Sequence, residues 1–248
     1  MGSRHGAVRY PVVELRQYAL KPGQRDVLID LFDRELVETQ ERTGMAILGQ
    51  FRDLDRPDRF VWLRGFDGMA VRAEALHSFY GGPVWKAHAA RANDTMLDSD
   101  NVLLLRPASA HTGFPAPAAG RPPVGHTRAP GSLVLVTLYQ RDHPFDQEFL
   151  DFFDREARPA LTETGATPLA CLQTEPAENT FPALPVREGE NWFAWFARFP
   201  GPAQLTEHLH RLERSDRWRH RVRPRLAATL SGVPQLLRLS PTARSLLR

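Results

Sequence analysis

The sequence has a single cysteine, only two lysines and no long hydrophobic run. Cys171 therefore has no partner for an internal disulfide, and a metal site built from several cysteines is excluded. The longest apolar stretches fall far below the roughly 20 residues of a membrane-spanning helix. We therefore expect no membrane partner, and we predict a cytoplasmic protein.

The basic residues are almost all arginine, and their charge is nearly balanced by acidic residues. The 248 residues carry a formal net charge of +3, with acidic and basic residues interspersed. The one dense basic run, residues 211–225, is typical of a helix with a solvated arginine face. We therefore expect no nucleic-acid partner.

Common cofactor and catalytic motifs are also missing from the sequence. It contains no Walker loop, no Gly-x-Gly-x-x-Gly, no Gly-x-Ser-x-Gly elbow, no Cys-x-x-Cys and no His-Glu-x-x-His. His208 and His210 form a His-x-His on a predicted helix, but a spacing of two residues places them on different faces. We therefore predict no metal and no cofactor, with haem as the alternative.

One short motif occurs twice in the chain. Phe-Asp-Arg-Glu occupies residues 32–35 and again residues 153–156, and a Thr-Gly pair follows each copy at the same distance. Each copy lies in an apolar stripe with helical spacing and follows a segment that alternates as a strand does. The chain is therefore predicted to be an internal duplication.

Aromatic residues extend this match along the chain. The matched pairs are Tyr18 with Tyr139, Trp62 with Trp195, Leu76 with Leu209, and Trp85 with Trp218. The second copy is longer by an insertion at residues 175–190, between its second and third predicted strands. Both copies therefore have the same order of elements.

A proline- and glycine-rich segment separates the two copies. Residues 107–131 contain six prolines and four glycines, which excludes a helix or a central strand. We predict a first repeat over residues 8–107, a linker over residues 108–131 and a second repeat over residues 132–241.

Each repeat has the order strand, helix, strand, strand, helical region, strand, which is that of a ferredoxin-like unit. Such a sheet carries helices on one face only, so its other face needs a cover. We predict an α+β fold in which two tandem ferredoxin-like repeats pack sheet to sheet as a pseudo-dimeric α/β barrel. One chain then forms the whole barrel, either as a monomer or within a homodimer.

Three segments resemble the NIPSNAP family of the dimeric α/β-barrel superfamily: residues 13–23, 79–88 and 93–107. The resemblance is strong over residues 12–107, and over residues 132–241 it is weak but in register. It implies two ferredoxin-like halves around a central barrel. The superfamily includes cofactor-independent monooxygenases, haem enzymes, isomerases and small-molecule binding modules, and a fold does not choose among these activities.

The first strand has an unusual polar face. Glu14, Arg16 and Tyr18 alternate along it, whereas the second repeat has Leu135 and Thr137 at the first two of these positions. Because burying an unpaired charge is costly, these side chains are expected to line a ligand cavity. A structural network between Glu14 and Arg16, or exposure to solvent, is the alternative.

The segment around residues 79–88 supplies further candidates. His88 follows Trp85 by three residues, so both lie on one helix face, and His88 is suited to general acid–base chemistry. A hydrogen-bonded or exposed histidine is the alternative. We predict that Tyr80 and Trp85, with Tyr18 and Trp62, bind the substrate, although core packing also explains aromatic residues of this kind.

These residues support two functions. The first is an enzyme that acts on an aromatic or polyketide-like metabolite, as a cofactor-independent oxygenase or an isomerase or cyclase. Its catalytic residues would be Arg16, His88 and Glu14, with Arg16 holding an oxygen and His88 moving a proton. The second is a non-catalytic small-molecule-binding or scaffold protein. In either case we expect the larger polar pocket in the first repeat.

Overall fold

The computed structural model describes residues 9–117 and 119–248, so the predicted start of the first repeat at residue 8 lies outside the described residues. The first repeat contains the following elements: β1 Val12–Leu20, α1 Arg25–Leu31, a π-helical turn Phe32–Leu36, α2 Val37–Glu41, β2 Ala46–Asp53, β3 Arg59–Phe66, α3 Met69–Gly81, α4 Pro83–Asp94, β4 Met96–Asp98 and β5 Val102–Pro107.

The second repeat contains a matching series: β6 Leu133–Arg141, α5 Gln147–Phe152, a π-helical turn Phe153–Ala157, α6 Arg158–Glu163, β7 Ala170–Thr174, β8 Asn191–Phe199, α7 Pro202–Arg214, a π-helical turn Trp218–Val222, α8 Arg223–Thr229 and β9 Gln235–Pro241. No helix in the described ranges is long and apolar enough to cross a membrane.

The duplicated motif has the same local structure in both repeats. Phe-Asp-Arg-Glu forms a π-helical turn between two α-helical segments in each copy. Gly44 and Gly165 follow these helices with φ angles of 95° and 109°, a left-handed conformation that glycine adopts without a Cβ clash. The repeated sequence therefore encodes a repeated structure.

Strand register confirms that the two repeats are equivalent. In the pairing of β1 with β3, Arg16 lies opposite Trp62, and in the pairing of β6 with β8, Thr137 lies opposite Trp195. All these pairs are antiparallel. The matched tyrosines and tryptophans therefore occupy corresponding places in the two sheets.

The predicted α/β barrel is confirmed, and one chain closes it. The hydrogen-bonded ring runs β1, β3, β2, β9, β6, β8, β7, β5 and back to β1. The two repeats meet edge to edge where β2 pairs with β9 and where β5 pairs with β7. Closure removes the exposed sheet edges that would otherwise pair with other chains.

Buried side chains form three separate layers. One fills the barrel interior with aliphatic and aromatic residues such as Val13, Leu15 and Phe196. The other two lie between each sheet and its own helices. Because strand side chains alternate between faces, Glu14 and Tyr18 face the helices and not the barrel interior.

The linker has no helix or strand within residues 108–117 and 119–132, but it packs against both repeats. Phe114 joins the barrel interior. The Arg121 guanidinium donates hydrogen bonds to the carbonyl oxygen of Ile47 at 2.6 Å and to that of Arg244 at 2.7 Å. The exact domain boundaries stay a prediction.

Candidate functional site

The second repeat contains a cavity of about 600 Å³ between its sheet and its helices. Its floor is formed by side chains of β6 and β8, and its walls by α7, α8 and the segment that leads into β9. Most of the lining is apolar, including Leu135, Leu212 and Leu226. A cavity of this size and character suits a drug-sized, largely apolar ligand.

His208 on α7 is a buried titratable side chain in the wall of this cavity. It is 1% exposed, and its Nδ1 lies 3.1 Å from the Thr164 hydroxyl. That hydroxyl also lies 2.9 Å from the carbonyl oxygens of Ala160 and Leu161. Carbonyls only accept, so the hydroxyl donates its proton to them and accepts a hydrogen bond from Nδ1–H.

This arrangement leaves the second ring nitrogen of His208 unprotonated and buried. Nε2 has no hydrogen-bond partner among the described residues. Burial lowers the pKa of His208, against a smaller opposing effect of Thr164, so the ring stays neutral at neutral pH. With the proton on Nδ1, Nε2 carries the lone pair that a general base needs.

Tyr139 and Trp195 supply the polar edge of the floor. The Trp195 indole N–H donates to the Tyr139 hydroxyl at 3.2 Å, and burial raises the pKa of Tyr139 well above its usual value. The phenol therefore keeps its proton. Because the indole N–H already donates to it, the Tyr139 O–H can donate to an oxygen of a bound ligand.

In the first repeat, buried charged side chains occupy the corresponding space between the sheet and the helices. Glu14 accepts hydrogen bonds from Arg16 at 2.7 Å, Arg64 at 2.7 Å and Arg72 at 2.6 Å. Burial alone would raise the pKa of Glu14, but these guanidinium groups, Arg64 foremost, hold it far below its usual range. Arg16 also donates to the Tyr18 hydroxyl at 2.9 Å.

Aromatic side chains and the insertion complete this filling. Trp62 makes edge contacts with Tyr18 at 5.9 Å between ring centroids, and Trp85 makes one with Tyr80 at 4.9 Å. Phe181 of the insertion stacks on Tyr80 at 5.7 Å. The insertion thus lies over the helix-facing side of the first repeat.

The polar pocket expected in the first repeat is not found at Glu14 and Arg16, because these side chains pair with each other. The cavity of about 600 Å³ lies in the second repeat and is largely apolar. On the polar face of β1, Arg16 donates a hydrogen bond to Glu14. This is the structural network that was the alternative to a ligand cavity. The insertion covers what would otherwise be a cleft. Its counterpart between β2 and β3, residues 54–58, is too short to cover the second repeat in the same way.

The predicted site residues are only partly brought together. Glu14, Arg16, Tyr18 and Trp62 form one buried cluster. His88 does not join it, since its half-exposed ring lies 3.8 Å from a carboxylate oxygen of Glu35. The assignment of Arg16, Glu14 and His88 as catalytic, and of Tyr18, Trp62, Tyr80 and Trp85 as substrate-binding, stays a prediction.

Sequence reasoning did not select His208 or its partner Thr164. A signal was present, because the repeat register places His208 at the position of Ala75. A buried alanine in one copy and a histidine in the other marks a position where the second copy has gained a polar group. The His-x-His spacing was considered only as a possible metal-binding motif.

An eight-stranded antiparallel barrel with helices outside each half is the fold of the dimeric α/β-barrel proteins, here closed by one chain. Residues 13–110 match the family model NIPSNAP. A NIPSNAP family protein from Agrobacterium tumefaciens is 21% identical, over 40% of this chain and 93% of that one, with a TM-score of 0.37. A comparison with curated proteins found no match.

Some solved structures match nearly the whole chain. An anthrone oxidase-like protein is 14% identical, covers 96% of this chain and 94% of its own, and has a TM-score of 0.54. A Fusobacterium nucleatum protein, whose name proposes a monooxygenase, is 9% identical over 94% of this chain and 93% of its own, with a TM-score of 0.54. At these identities the likeness establishes the fold alone.

Proposed function

We propose that this chain is a small-molecule enzyme whose substrate, an aromatic or polyketide-like carbonyl compound, binds in the cavity of the second repeat. The observation that carries the proposal is a neutral, buried His208 in the wall of a cavity of about 600 Å³. An apolar cavity with few polar groups favours a ring system with one or two oxygens.

The residues of the cavity support acid–base chemistry on such a ligand. His208 Nε2 takes a proton from a carbon next to the carbonyl, and the Tyr139 O–H stabilises the negative charge that develops on the oxygen. A base and a hydrogen-bond donor in a water-poor site are each worth orders of magnitude in rate. Return of the proton to another carbon completes an isomerisation.

Dioxygen turns the same first step into an oxidation. A ring methylene that has lost its proton reacts with O₂, one oxygen atom becomes the new carbonyl, and the other leaves as water with both methylene hydrogens. This reaction, R₂CH₂ + O₂ → R₂C=O + H₂O, needs no bound metal or organic cofactor. The names of the two neighbours of similar fold support this class of reaction.

Binding without catalysis is the second candidate. The closed first repeat favours it, because that half of the barrel has already lost its cleft. In this case the cavity holds an apolar ligand and His208 only donates or accepts a hydrogen bond. Both candidates share the ligand site and differ in turnover.

Anthrone, a tricyclic ketone with one activated methylene, is the probe that separates them. We expect quenching of tryptophan fluorescence on binding, since Trp195 and Trp218 line the cavity. We also expect oxygen uptake that the His208→Gln variant loses by at least about tenfold, which is ~1.4 kcal/mol in the barrier. His210→Gln, two residues away and exposed, is the matched control.

The outcomes are distinct. Binding with oxygen uptake that depends on His208 supports the enzyme. Binding without uptake or isomerisation supports the non-catalytic candidate, and the absence of binding contradicts both. Titration with haem, followed by its Soret absorption, tests the haem alternative in the same preparation.

A further inference from the structure

A buried cluster in the first repeat carries more positive than negative charge. Arg16, Arg64 and Arg72 surround the single carboxylate of Glu14, and none of the four side chains is more than 1% exposed. Within the described part of the chain, none of these guanidinium groups forms a salt bridge with a second carboxylate. Two positive charges are therefore uncompensated in a site where burial makes charge costly.

Three hydrogen-bond donors of this cluster are unused. Arg64 Nη2, Arg72 Nη2 and the indole Nε1 of Trp62 are buried and have no partner among the described residues. The Arg64 guanidinium lies 5.0 Å from the Trp62 ring, and both Arg64 and Arg72 bind Glu14, so the donors belong to one place. Buried donors are paired in the great majority of cases, so this concentration indicates a missing acceptor.

The second repeat shows that the fold itself does not need these charges. At the matched positions it has Leu135, Thr137, Ala197 and Leu205, none of which is charged. Its sheet and helices pack with the same strand register. The charges of the first repeat are therefore an addition to the common framework.

A short piece of the insertion occupies the side of this cluster. Asn179 Oδ1 and Thr180 Oγ1 accept hydrogen bonds from Arg72 Nη1 at 3.0 Å and 3.1 Å. The next residue, Phe181, places its ring against Tyr80 at 5.7 Å and against His77 at 4.7 Å. The segment thus presents two oxygens to a guanidinium group and an aromatic ring beside them. A small aromatic carboxylate would present the same groups.

The segment satisfies hydrogen bonds but cannot neutralise charge, because both of its oxygens are neutral. Burial and the neighbouring guanidinium groups lower the pKa of Arg72, in spite of Glu14. A carboxylate in the same place would accept the same hydrogen bonds and also compensate the excess charge, and charge-assisted bonds are roughly twice as strong as neutral ones.

We propose that Arg16, Arg64 and Arg72 form a binding site for a small aromatic carboxylate, which displaces Asn179, Thr180 and Phe181 from the first repeat. The ligand's carboxylate takes the unused guanidinium donors, and its ring takes the place of Phe181 beside Tyr80. This site is separate from the cavity of the second repeat.

Calorimetric titration of the full chain with phenylacetate and with phenylacetamide tests this site. Phenylacetamide keeps the ring and shape but has no charge. We expect phenylacetate to bind Phe181→Ala at least about tenfold more tightly than wild type, and at least about tenfold more tightly than phenylacetamide binds the same variant. Phe114→Ala removes a ring of the same 8% exposure in the barrel interior and should leave the affinity unchanged.

Equal affinity for the two compounds would overturn the proposal. So would an unchanged affinity in Phe181→Ala, or no heat from phenylacetate at about 10 mM, a concentration at which even weak ionic binding is seen. Leu209→Trp fills the second-repeat cavity and should not affect phenylacetate binding. If it abolishes that binding, the ligand occupies the other cavity and the first-repeat site is refuted, while the proposed function is untouched.

Discussion

The two repeats share an aromatic frame but fill the space between sheet and helices in opposite ways. In the first repeat, Tyr18 and Trp62 surround a buried ion network, and an insertion from the other repeat covers it. In the second, Tyr139 and Trp195 border an apolar cavity. Buried charge therefore marks where the chain has closed a cleft, and an apolar surface marks where a cleft has stayed open.

The largest expected effect comes from breaking the ion network. Glu14→Gln leaves three buried guanidinium groups without a carboxylate and should lower the free energy of unfolding by roughly 3–5 kcal/mol. Because the pKa of Glu14 is depressed in the folded state, its contribution is present above about pH 4.3, the usual glutamate value, and is lost as pH falls. Urea unfolding at neutral and acid pH measures both.

Glu178→Gln on the exposed surface of the insertion is the control for this variant and should have little effect. A Glu14→Gln protein as stable as wild type would show that the network contributes nothing net. The charge difference between the repeats would then be irrelevant to stability.

Enlarging a matched leucine should distinguish the filled repeat from the open one. Leu76 is fully buried in the first repeat, and Leu209 lines the cavity of the second. Leu76→Trp overpacks its surroundings and should cost about 1–3 kcal/mol or more, whereas Leu209→Trp has space available and should cost less. Thermal and urea unfolding of both variants give the comparison, and equal losses would contradict it.

A smaller difference is expected from the two matched tryptophans. Trp195 donates its indole N–H to Tyr139, whereas the indole N–H of Trp62 has no partner among the described residues. Trp195→Phe should therefore destabilise by about 1 kcal/mol more than Trp62→Phe, the usual value of one buried hydrogen bond. Urea unfolding of the two variants measures this, and a greater loss in Trp62→Phe would mean that its indole is bonded after all.

The smallest effect is the pH dependence of His208. Its pKa is lowered in the folded state, so folding favours the neutral ring, and stability is lost as pH falls below about 6.5, the unfolded value. Between pH 7 and pH 5.5, wild type should lose more stability than His208→Gln. His210→Gln should behave as wild type does, and identical pH profiles of all three proteins would refute a depressed pKa.

Much of the fold could be predicted because it depends on local patterns. The repeated Phe-Asp-Arg-Glu motif, the apolar helical stripes and the glycines at 44 and 165 all act within a few residues. The register of Tyr18 with Tyr139 followed from their common positions in the two copies. A sheet with one bare face requires a cover, so duplication predicted the barrel.

The location of the cavity could not be predicted in the same way. Polar side chains at Glu14 and Arg16 suggested a wet pocket, but Arg64 and Arg72 come from other elements and pair with Glu14 only in the folded chain. Likewise, His208 meets Thr164 across 44 residues of sequence. Neither interaction produces a recognisable spacing of residues in the sequence.

The sequence by itself determined the duplication, the strand and helix order, and the closure of one barrel by one chain, because alternation and helical periodicity are local consequences of burial. Only the tertiary structure decided that the first repeat is closed and the second is open. That outcome depends on which charged side chains form ion pairs. It also depends on the insertion of the second repeat, which reaches the first repeat because β5 and β7 pair where the two repeats meet. Such contacts between distant residues are set by packing, which no local pattern records.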